Sequence, residues 1–121
     1  MQVNLRHKGS ITILDIEGKV LGADSLALKD IINQQIQITK GEAEREEKLN
    51  LILNMERVQM MDSSGLGVLV ASHTTIRRDG GNIVLLNLGG NVRSLIVMAK
   101  LMTIFDCYDT EAEAIAGIIR T

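Results

Sequence analysis

Two almost uninterrupted apolar stretches limit the folds open to this chain more than any other feature. Residues 49–55 and 82–88 are dominated by Leu, Ile and Val and contain no charged side chain. Such runs are typical of strands that are buried on both faces of a parallel sheet. Between them, Leu66, Leu69 and Ile76 recur at the spacing of a helix face. The order strand, helix, strand predicts a crossover unit of a layered α/β protein.

The segments on either side extend this alternation. Residues 3–5 and 11–16 alternate apolar and polar side chains around a Lys-Gly-Ser turn, which predicts an N-terminal antiparallel hairpin. The next helix is predicted to be capped by Asp24 or Ser25. The apolar face of that helix is expected to contain Leu28, Ile31, Ile32, Gln35 and Ile36.

The predicted elements after the central unit are shorter. Asn91 is expected to cap a third helix, and residues 103–105 to form a short last strand. Asp109 or Thr110 should cap a final helix. Its expected apolar side consists of Ala112, Ile115, Ala116 and Ile119. Residues 54–59 are predicted to cross from the first apolar strand to the central helix. The order is β-β-α-β-α-β-α-β-α, a single α/β domain with a mixed, mostly parallel sheet, an N-terminal β-hairpin and about four helices.

Composition narrows the classes of function. The chain has 121 residues and a net charge of -2, with no basic cluster, which argues against a nucleic-acid binder. Only Phe105 and Tyr108 are aromatic, so base-stacking platforms are lacking. Cys107 is the single cysteine, which excludes an internal disulfide and fits a reducing compartment. No stretch approaches the ~20 apolar residues of a membrane span. We expect a soluble, cytoplasmic protein without membrane insertion.

A polar string joins the first apolar strand to the central helix. Asp62, Ser63 and Ser64 have side-chain oxygens that accept hydrogen bonds from unpaired amides at a helix start. That end of a helix also has a partial positive charge and can bind an anion such as a phosphoryl group. The string therefore has two interpretations, a simple helix cap or a site of phosphorylation.

The whole motif favours the second interpretation through a resemblance. Residues 62–67 read Asp-Ser-Ser-Gly-Leu-Gly, follow a strand and open a helix, and this string resembles the signature of STAS-domain anti-sigma factor antagonists. The likeness runs over most of the chain and implies one STAS domain over residues 1–121. It implies that Ser63 is phosphorylated by a partner anti-sigma factor with serine kinase activity. The implied partner-binding residues are Asp62, Ser63, Ser64, Gly65, Leu66, Gly22 and Asp24.

The same resemblance implies a switch. The unphosphorylated protein would sequester the anti-sigma factor kinase, and phosphorylation at Ser63 would end that binding. A serine phosphatase is a second candidate partner. Ser64 is expected to cap the helix, while Gly65 and Gly67 leave room for the partner. For Gly67, close packing of the helix on the sheet is an alternative. We expect no catalytic residue, cofactor or metal of the protein's own, and hence no enzyme.

Other chemistries fit the residues less well. The chain lacks a P-loop string, and no glycine stands two positions before Ser63 or Ser64 as in a hydrolase elbow. His7, His73 and Cys107 have no metal-ligand spacing; His73 is expected at the edge of the core and Cys107 as a buried or half-buried apolar residue. A receiver domain phosphorylated on Asp62 would need an acidic pair and a lysine that are missing. A STAS scaffold or transporter-associated subunit and a small enzyme remain alternatives.

The charged residues 40–48 are predicted to be a solvated helix extension or a mobile loop.

Overall fold

A computed structural model of the chain describes residues 1–41 and 48–120. Within that part of the chain, nine elements follow one another in the predicted order. They are β1 (Gln2–Lys8), β2 (Ile11–Val20), α1 (Ala23–Gly41), β3 (Asn50–Met61), α2 (Ser63–Arg78), β4 (Asn82–Leu86), α3 (Gly90–Met98), β5 (Asp106–Tyr108) and α4 (Glu111–Ile119). The predicted α/β fold with its N-terminal hairpin is confirmed.

The five strands lie in chain order, β1-β2-β3-β4-β5, across one sheet. Strand β1 is antiparallel to β2, and every other neighbouring pair is parallel. Helices α1, α2 and α3 each connect two adjacent parallel strands, and because such crossovers share one hand, all three lie on the same face of the sheet. One end of the sheet consequently brings together the carboxyl ends of β2 and β3 and the first turns of α1 and α2.

The core has two parts, one on each face of the sheet. The larger part lies between the sheet and helices α1 to α3, and Leu14, Leu53 and Leu69 are fully buried there. The smaller part lies under α4 on the opposite face, where Ala114 and Ile118 pack against apolar side chains of β2, β3 and β4. The central strands are therefore buried on both faces, which accounts for their nearly continuous apolar sequence.

Strand β3 is longer than predicted, and the expected crossing at residues 54–59 is wrong. The strand continues to Met61 and stays paired with β2, with Gly18 opposite Val58 and Val20 opposite Met61. Two irregularities in register, between Asp15 and Glu17 and between Gly18 and Lys19, accommodate the extension. The polar residues Glu56 and Arg57 interrupt the apolar sequence because they are exposed while their backbone remains in the sheet.

The predicted last strand and the apolar face of the final helix are also corrected. Residues 103–105 precede the strand, and β5 pairs with β4 through Asp106–Tyr108. Phe105 is apolar because it is buried in the core, not because it pairs in the sheet. In α4 the buried positions are Ala114 and Ile118, and the predicted Ile115 packs beside them, whereas Ile119 is 72% exposed and Ala112 is exposed. The helix is rotated relative to the prediction because only a narrow stripe of it meets the sheet.

Two predicted helix caps are wrong. Helix α1 begins at Ala23, so Asp24 and Ser25 lie inside its first turn. Helix α3 begins at Gly90 after Gly89, and Asn91 lies inside it. The Asn91 side chain instead accepts a hydrogen bond from the backbone N–H of Met61, with an N···O distance of 3.1 Å. Thr110 caps α4 as predicted, through a bond from the Glu113 amide.

The predicted face of α1 is confirmed, since Leu28, Ile32, Gln35 and Ile36 are buried and Ile31 is half-buried. The charged run begins inside this helix, which ends at Gly41. Lys40 in its last turn forms an ion pair with Asp79 at the end of α2, with an N···O distance of 3.4 Å. Most of the run, residues 42–47, lies outside the described residues, so its predicted form stays a prediction.

Candidate functional site

Asp62 lies between the end of β3 and the start of α2, and its side chain holds the surrounding segments together. The backbone of Asp62 is extended, and its side chain caps the helix. One carboxylate oxygen, Oδ1, accepts hydrogen bonds from the amides of Ser64 at 3.0 Å and Gly65 at 3.1 Å. The N-cap is therefore Asp62, and the prediction that Ser64 caps the helix is wrong. Aspartate is favoured there because a carboxylate satisfies two amides and complements the helix dipole.

The second oxygen of Asp62 reaches a different segment of the chain. Oδ2 accepts a hydrogen bond from the backbone N–H of Gly22 at 3.0 Å. Gly22 has a φ of +51°, a left-handed conformation that glycine adopts without a steric penalty. The Asp62 amide in turn donates to the carbonyl of Val20 at 3.4 Å. One side chain thus joins the loop between β2 and α1 to the first turn of α2, which places Gly22 in the predicted site.

The two serines of the motif have different environments. The hydroxyl of Ser64 bonds to Asp62 Oδ1 and lies 2.9 Å from the hydroxyl of Ser25, which is buried in the first turn of α1. Ser63 is exposed, and no described residue forms a hydrogen bond with its hydroxyl. Ser64 is therefore held between two helices, whereas the Ser63 hydroxyl is free to meet a reagent or a protein surface.

Gly65 and Gly67 lie on opposite sides of α2. A Cβ atom on Gly65 would come within 2.6 Å of Met61 Cγ and 3.1 Å of the Val20 carbonyl oxygen. Gly65 is therefore required where α2 approaches the strands, a role that the sequence did not indicate. A Cβ on Gly67 would meet nothing within 4 Å, so packing of the helix on the sheet does not explain that glycine. Leu66 belongs to the core and supports the site from beneath.

Hydrogen bonding keeps the site negatively charged. The bond from the Ser64 hydroxyl, followed by those from the Gly22 and Gly65 amides, lowers the pKa of Asp62 below its usual value. The carboxylate is therefore ionised at neutral pH. It also occupies the amides of Ser64 and Gly65 that an anion would otherwise find at the start of α2. A phosphoryl group on Ser63 would lie beside this charge, with those amides already engaged.

The remaining candidate residues do not join the site. Asp24 is the second residue of α1, in its first turn, and its side chain has no hydrogen bond to the Asp62 group in the described structure. His73 packs edge-on against Phe105, with ring centroids 5.4 Å apart, and burial lowers its pKa. Cys107 is half-buried, and burial raises the pKa of its thiol. The predicted placement of His73 at the core edge and of Cys107 as a half-buried residue is confirmed.

Two residues of the site were assigned other roles from the sequence. Ser25 and Asn91 both looked like helix caps, yet Ser25 contacts Ser64 and Asn91 holds the end of β3. A polar residue in the first turn of a neighbouring helix is the only sequence signal for such contacts.

Residues 1–41 and 48–120 contain no group of three or more His, Cys, Asp or Glu side chains placed to hold a metal ion. Over the same residues, no helix has the length and apolar character needed to cross a membrane.

Comparison with known proteins identifies relatives of this chain. The STAS domain profile matches residues 2–114. An anti-sigma F factor antagonist of Paenibacillus polymyxa is 26% identical over 118 residues, which cover 98% of this chain and 95% of the relative.

Solved structures show the same fold. An anti-sigma factor antagonist from Mycobacterium paratuberculosis has a TM-score of 0.82 at 17% identity, covering 98% of this chain and 93% of its own. The anti-sigma factor antagonist SpoIIAA in its unphosphorylated form has a TM-score of 0.75 at 22% identity, with 99% and 98% coverage. A Bacillus SpoIIAA in the phosphorylated form has a TM-score of 0.70 at 21% identity, with 97% and 99% coverage. From the profile match and the fold, this chain belongs to the STAS domain family.

Proposed function

We propose that this protein is an anti-sigma factor antagonist that binds an anti-sigma factor with serine kinase activity and is released when Ser63 is phosphorylated. The observation that carries the proposal is the contrast between two adjacent serines. Both serines are exposed, but the Ser63 hydroxyl has no hydrogen-bond partner among the described residues, whereas the Ser64 hydroxyl is bonded to Asp62 and Ser25. The name of the Paenibacillus polymyxa relative supports the assignment to this class of regulator.

Electrostatics explains how phosphorylation would end binding. A phosphoryl group adds about -1.5 to -2 charges. It would lie next to the ionised Asp62, and the Ser64 and Gly65 amides that could neutralise it already bond to that carboxylate. The new charge is therefore presented outward, to the partner. A loss of ~3 kcal/mol in binding free energy would weaken the complex more than a hundredfold, enough to operate the switch.

The protein itself acts as a binding module. The kinase partner would bring ATP and magnesium, and a serine phosphatase would restore the unphosphorylated form. Asp62 fixes the geometry around Ser63 by joining the Gly22 loop to α2. The exposed, side-chain-free Gly67 lies one turn along the same helix and leaves room for close approach of the partner.

A pair of variants tests the proposal. The protein is incubated with the cognate kinase and ATP, and the phosphorylated peptide is mapped by mass spectrometry. We expect one phosphate on Ser63, none on Ser63→Ala, and full phosphorylation of the matched control Ser64→Ala. The control should lose ~1 kcal/mol of stability because the hydroxyl bonds to Asp62 and Ser25 are removed. Phosphate on Ser64, or on neither serine, would contradict the assignment.

Binding separates the switch from its alternative. A Ser63→Asp variant should fold normally and bind the kinase at least tenfold more weakly than wild type does. In the alternative, a STAS scaffold or transporter-associated subunit, Ser63 is never phosphorylated and carries no signal. Equal affinity of Ser63→Asp and wild type for the kinase would favour that alternative.

A further inference from the structure

Strand β1 leaves one edge of the sheet open. It pairs with β2 on one side, and none of residues 1–41 and 48–120 forms a strand on its other side. Apart from that pairing, no backbone hydrogen bond joins β1 to another residue of the described chain. In an antiparallel pair, alternate residues turn their N–H and C=O groups away from the neighbour. The outer side of β1 is therefore a row of unpaired donors and acceptors, which can accept a further strand.

The features that usually protect such an edge are weak here. Pro, bulges and free charges normally prevent edge pairing. Strand β1 contains no proline, and its seven residues pair with β2 without a shift in register. Its two cations are directed back into their own subunit. Arg6 bonds to Asp15 through Nε and Nη2 and to Glu111 at 2.7 Å, and Lys8 lies 3.1 Å from Glu111.

The middle of this edge is apolar. Leu5 is the central residue of β1 and is 46% exposed. Its side chain lies on the opposite face of the sheet from that of Arg6, because successive residues of a strand alternate between the two faces. An exposed leucine at the centre of an open, regular strand is a favourable contact for a second apolar side chain. Strand β1 therefore offers a second strand both unpaired backbone groups and the exposed side chain of Leu5.

We propose that β1 pairs antiparallel with β1 of a second copy of this chain, with Leu5 opposite Leu5 of the other copy. Residues whose N–H and C=O groups face outward alternate along β1, so their numbers are either all odd or all even. Outward-facing residues of the two copies must pair with each other, and the two paired residue numbers therefore add to an even number. A sum of ten uses all seven residues of β1. It places Lys8 opposite Gln2, His7 opposite Val3 and Arg6 opposite Asn4, and no like charges face each other. A sum of twelve would place Arg6 opposite Arg6.

The resulting dimer has a continuous ten-stranded sheet. Its two-fold axis is perpendicular to the sheet at Leu5, so helices α1 to α3 of both copies lie on the same face. Ser63 follows the carboxyl end of β3 and is not part of the paired edge. The proposed dimer therefore leaves the site around Ser63 open, and it does not depend on the proposed function.

Sedimentation equilibrium of the full chain over a range of about 1 to 200 µM tests the dimer. We expect wild type to reach the dimer mass within that range. Leu5→Lys places two ammonium groups face to face and should raise the dimer dissociation constant at least tenfold. Ser10→Lys, in the exposed turn beside β1, adds the same charge and should leave the constant unchanged. A wild-type monomer throughout, or equal constants for wild type and Leu5→Lys, would overturn the proposal.

Cross-linking tests the register directly. In a Cys107→Ser background, Leu5→Cys places two thiols opposite each other at the two-fold axis, where strands are about 4.5 to 5.5 Å apart between Cα atoms. Mild oxidation should convert this variant to a disulfide-linked dimer at least tenfold faster than a Ser10→Cys control in the same background. Equal rates for the two variants would exclude the Leu5-centred register.

Discussion

Asp62 performs several tasks that usually fall to different residues. Its Oδ1 atom caps α2, and its Oδ2 atom holds Gly22 of the preceding loop. It also accepts a hydrogen bond from the Ser64 hydroxyl, whereas the Ser63 hydroxyl has no partner among the described residues. A single carboxylate therefore supplies the geometry of the motif, and the hydroxyl of the neighbouring Ser63 takes no part in it.

The two motif glycines should respond oppositely to alanine. Gly65→Ala should lose about 1–3 kcal/mol of unfolding free energy because its Cβ would overlap Met61 and approach the Val20 carbonyl. Gly67→Ala should gain up to ~1 kcal/mol from helix propensity, since its Cβ meets nothing. Urea unfolding of both variants measures the two changes. Equal losses would show that α2 packs through Gly67 as well.

The contribution of Asp62 should depend on pH. Its pKa is lower in the folded protein, so its stabilisation is present above the unfolded pKa of about 3.9 and is lost as pH falls through the folded value. Wild type should therefore exceed Asp62→Asn in urea midpoint at pH 7. That difference should shrink as the pH falls below about 4.

Asp30→Asn, on the exposed side of α1, controls for the loss of one negative charge. If the difference between wild type and Asp62→Asn stayed constant from pH 7 to pH 3, the charge of Asp62 would not contribute to the cap.

At the scale of elements, helix α4 is positioned by contacts at both ends. Glu111 in its first turn bonds to Arg6 and Lys8 of β1, and these bonds lower the pKa of the Glu111 carboxyl. Toward its other end, Gly117 lies directly against the ring and hydroxyl of Tyr108 in β5. A glycine inside a helix normally costs about 1 kcal/mol relative to alanine, so its presence indicates a steric requirement.

The packing of α4 on β5 can be tested with a double-mutant cycle. Gly117→Ala should lower the unfolding free energy by about 1–3 kcal/mol, because the new methyl group overlaps Tyr108. In a Tyr108→Ala background the same change should be neutral or stabilising, since the obstructing ring is gone. Chemical unfolding of the four proteins gives the coupling energy. Additive effects would place the constraint on Gly117 elsewhere.

At the scale of the whole molecule, the two surfaces proposed to bind other proteins are separate. The site around Ser63 is at the carboxyl ends of β2 and β3, where two helices begin. The open edge at β1 lies at one side of the sheet. In the proposed dimer both Ser63 residues stay accessible, so one assembly presents two of the proposed phosphorylation sites.

The sequence by itself determined the order of elements and the buried central strands, and its resemblance to a known family predicted the role of Ser63. Apolar runs, helical spacing and the Asp-Ser-Ser-Gly-Leu-Gly string are local patterns, and such patterns are visible in a single sequence. Tertiary structure decided the extension of β3, the start of α3 and the rotation of α4. It also decided which hydroxyl is free, because Ser64 is engaged by Ser25, a residue 39 positions away. Such contacts depend on how segments meet in space, and neither partner's sequence neighbourhood encodes that meeting.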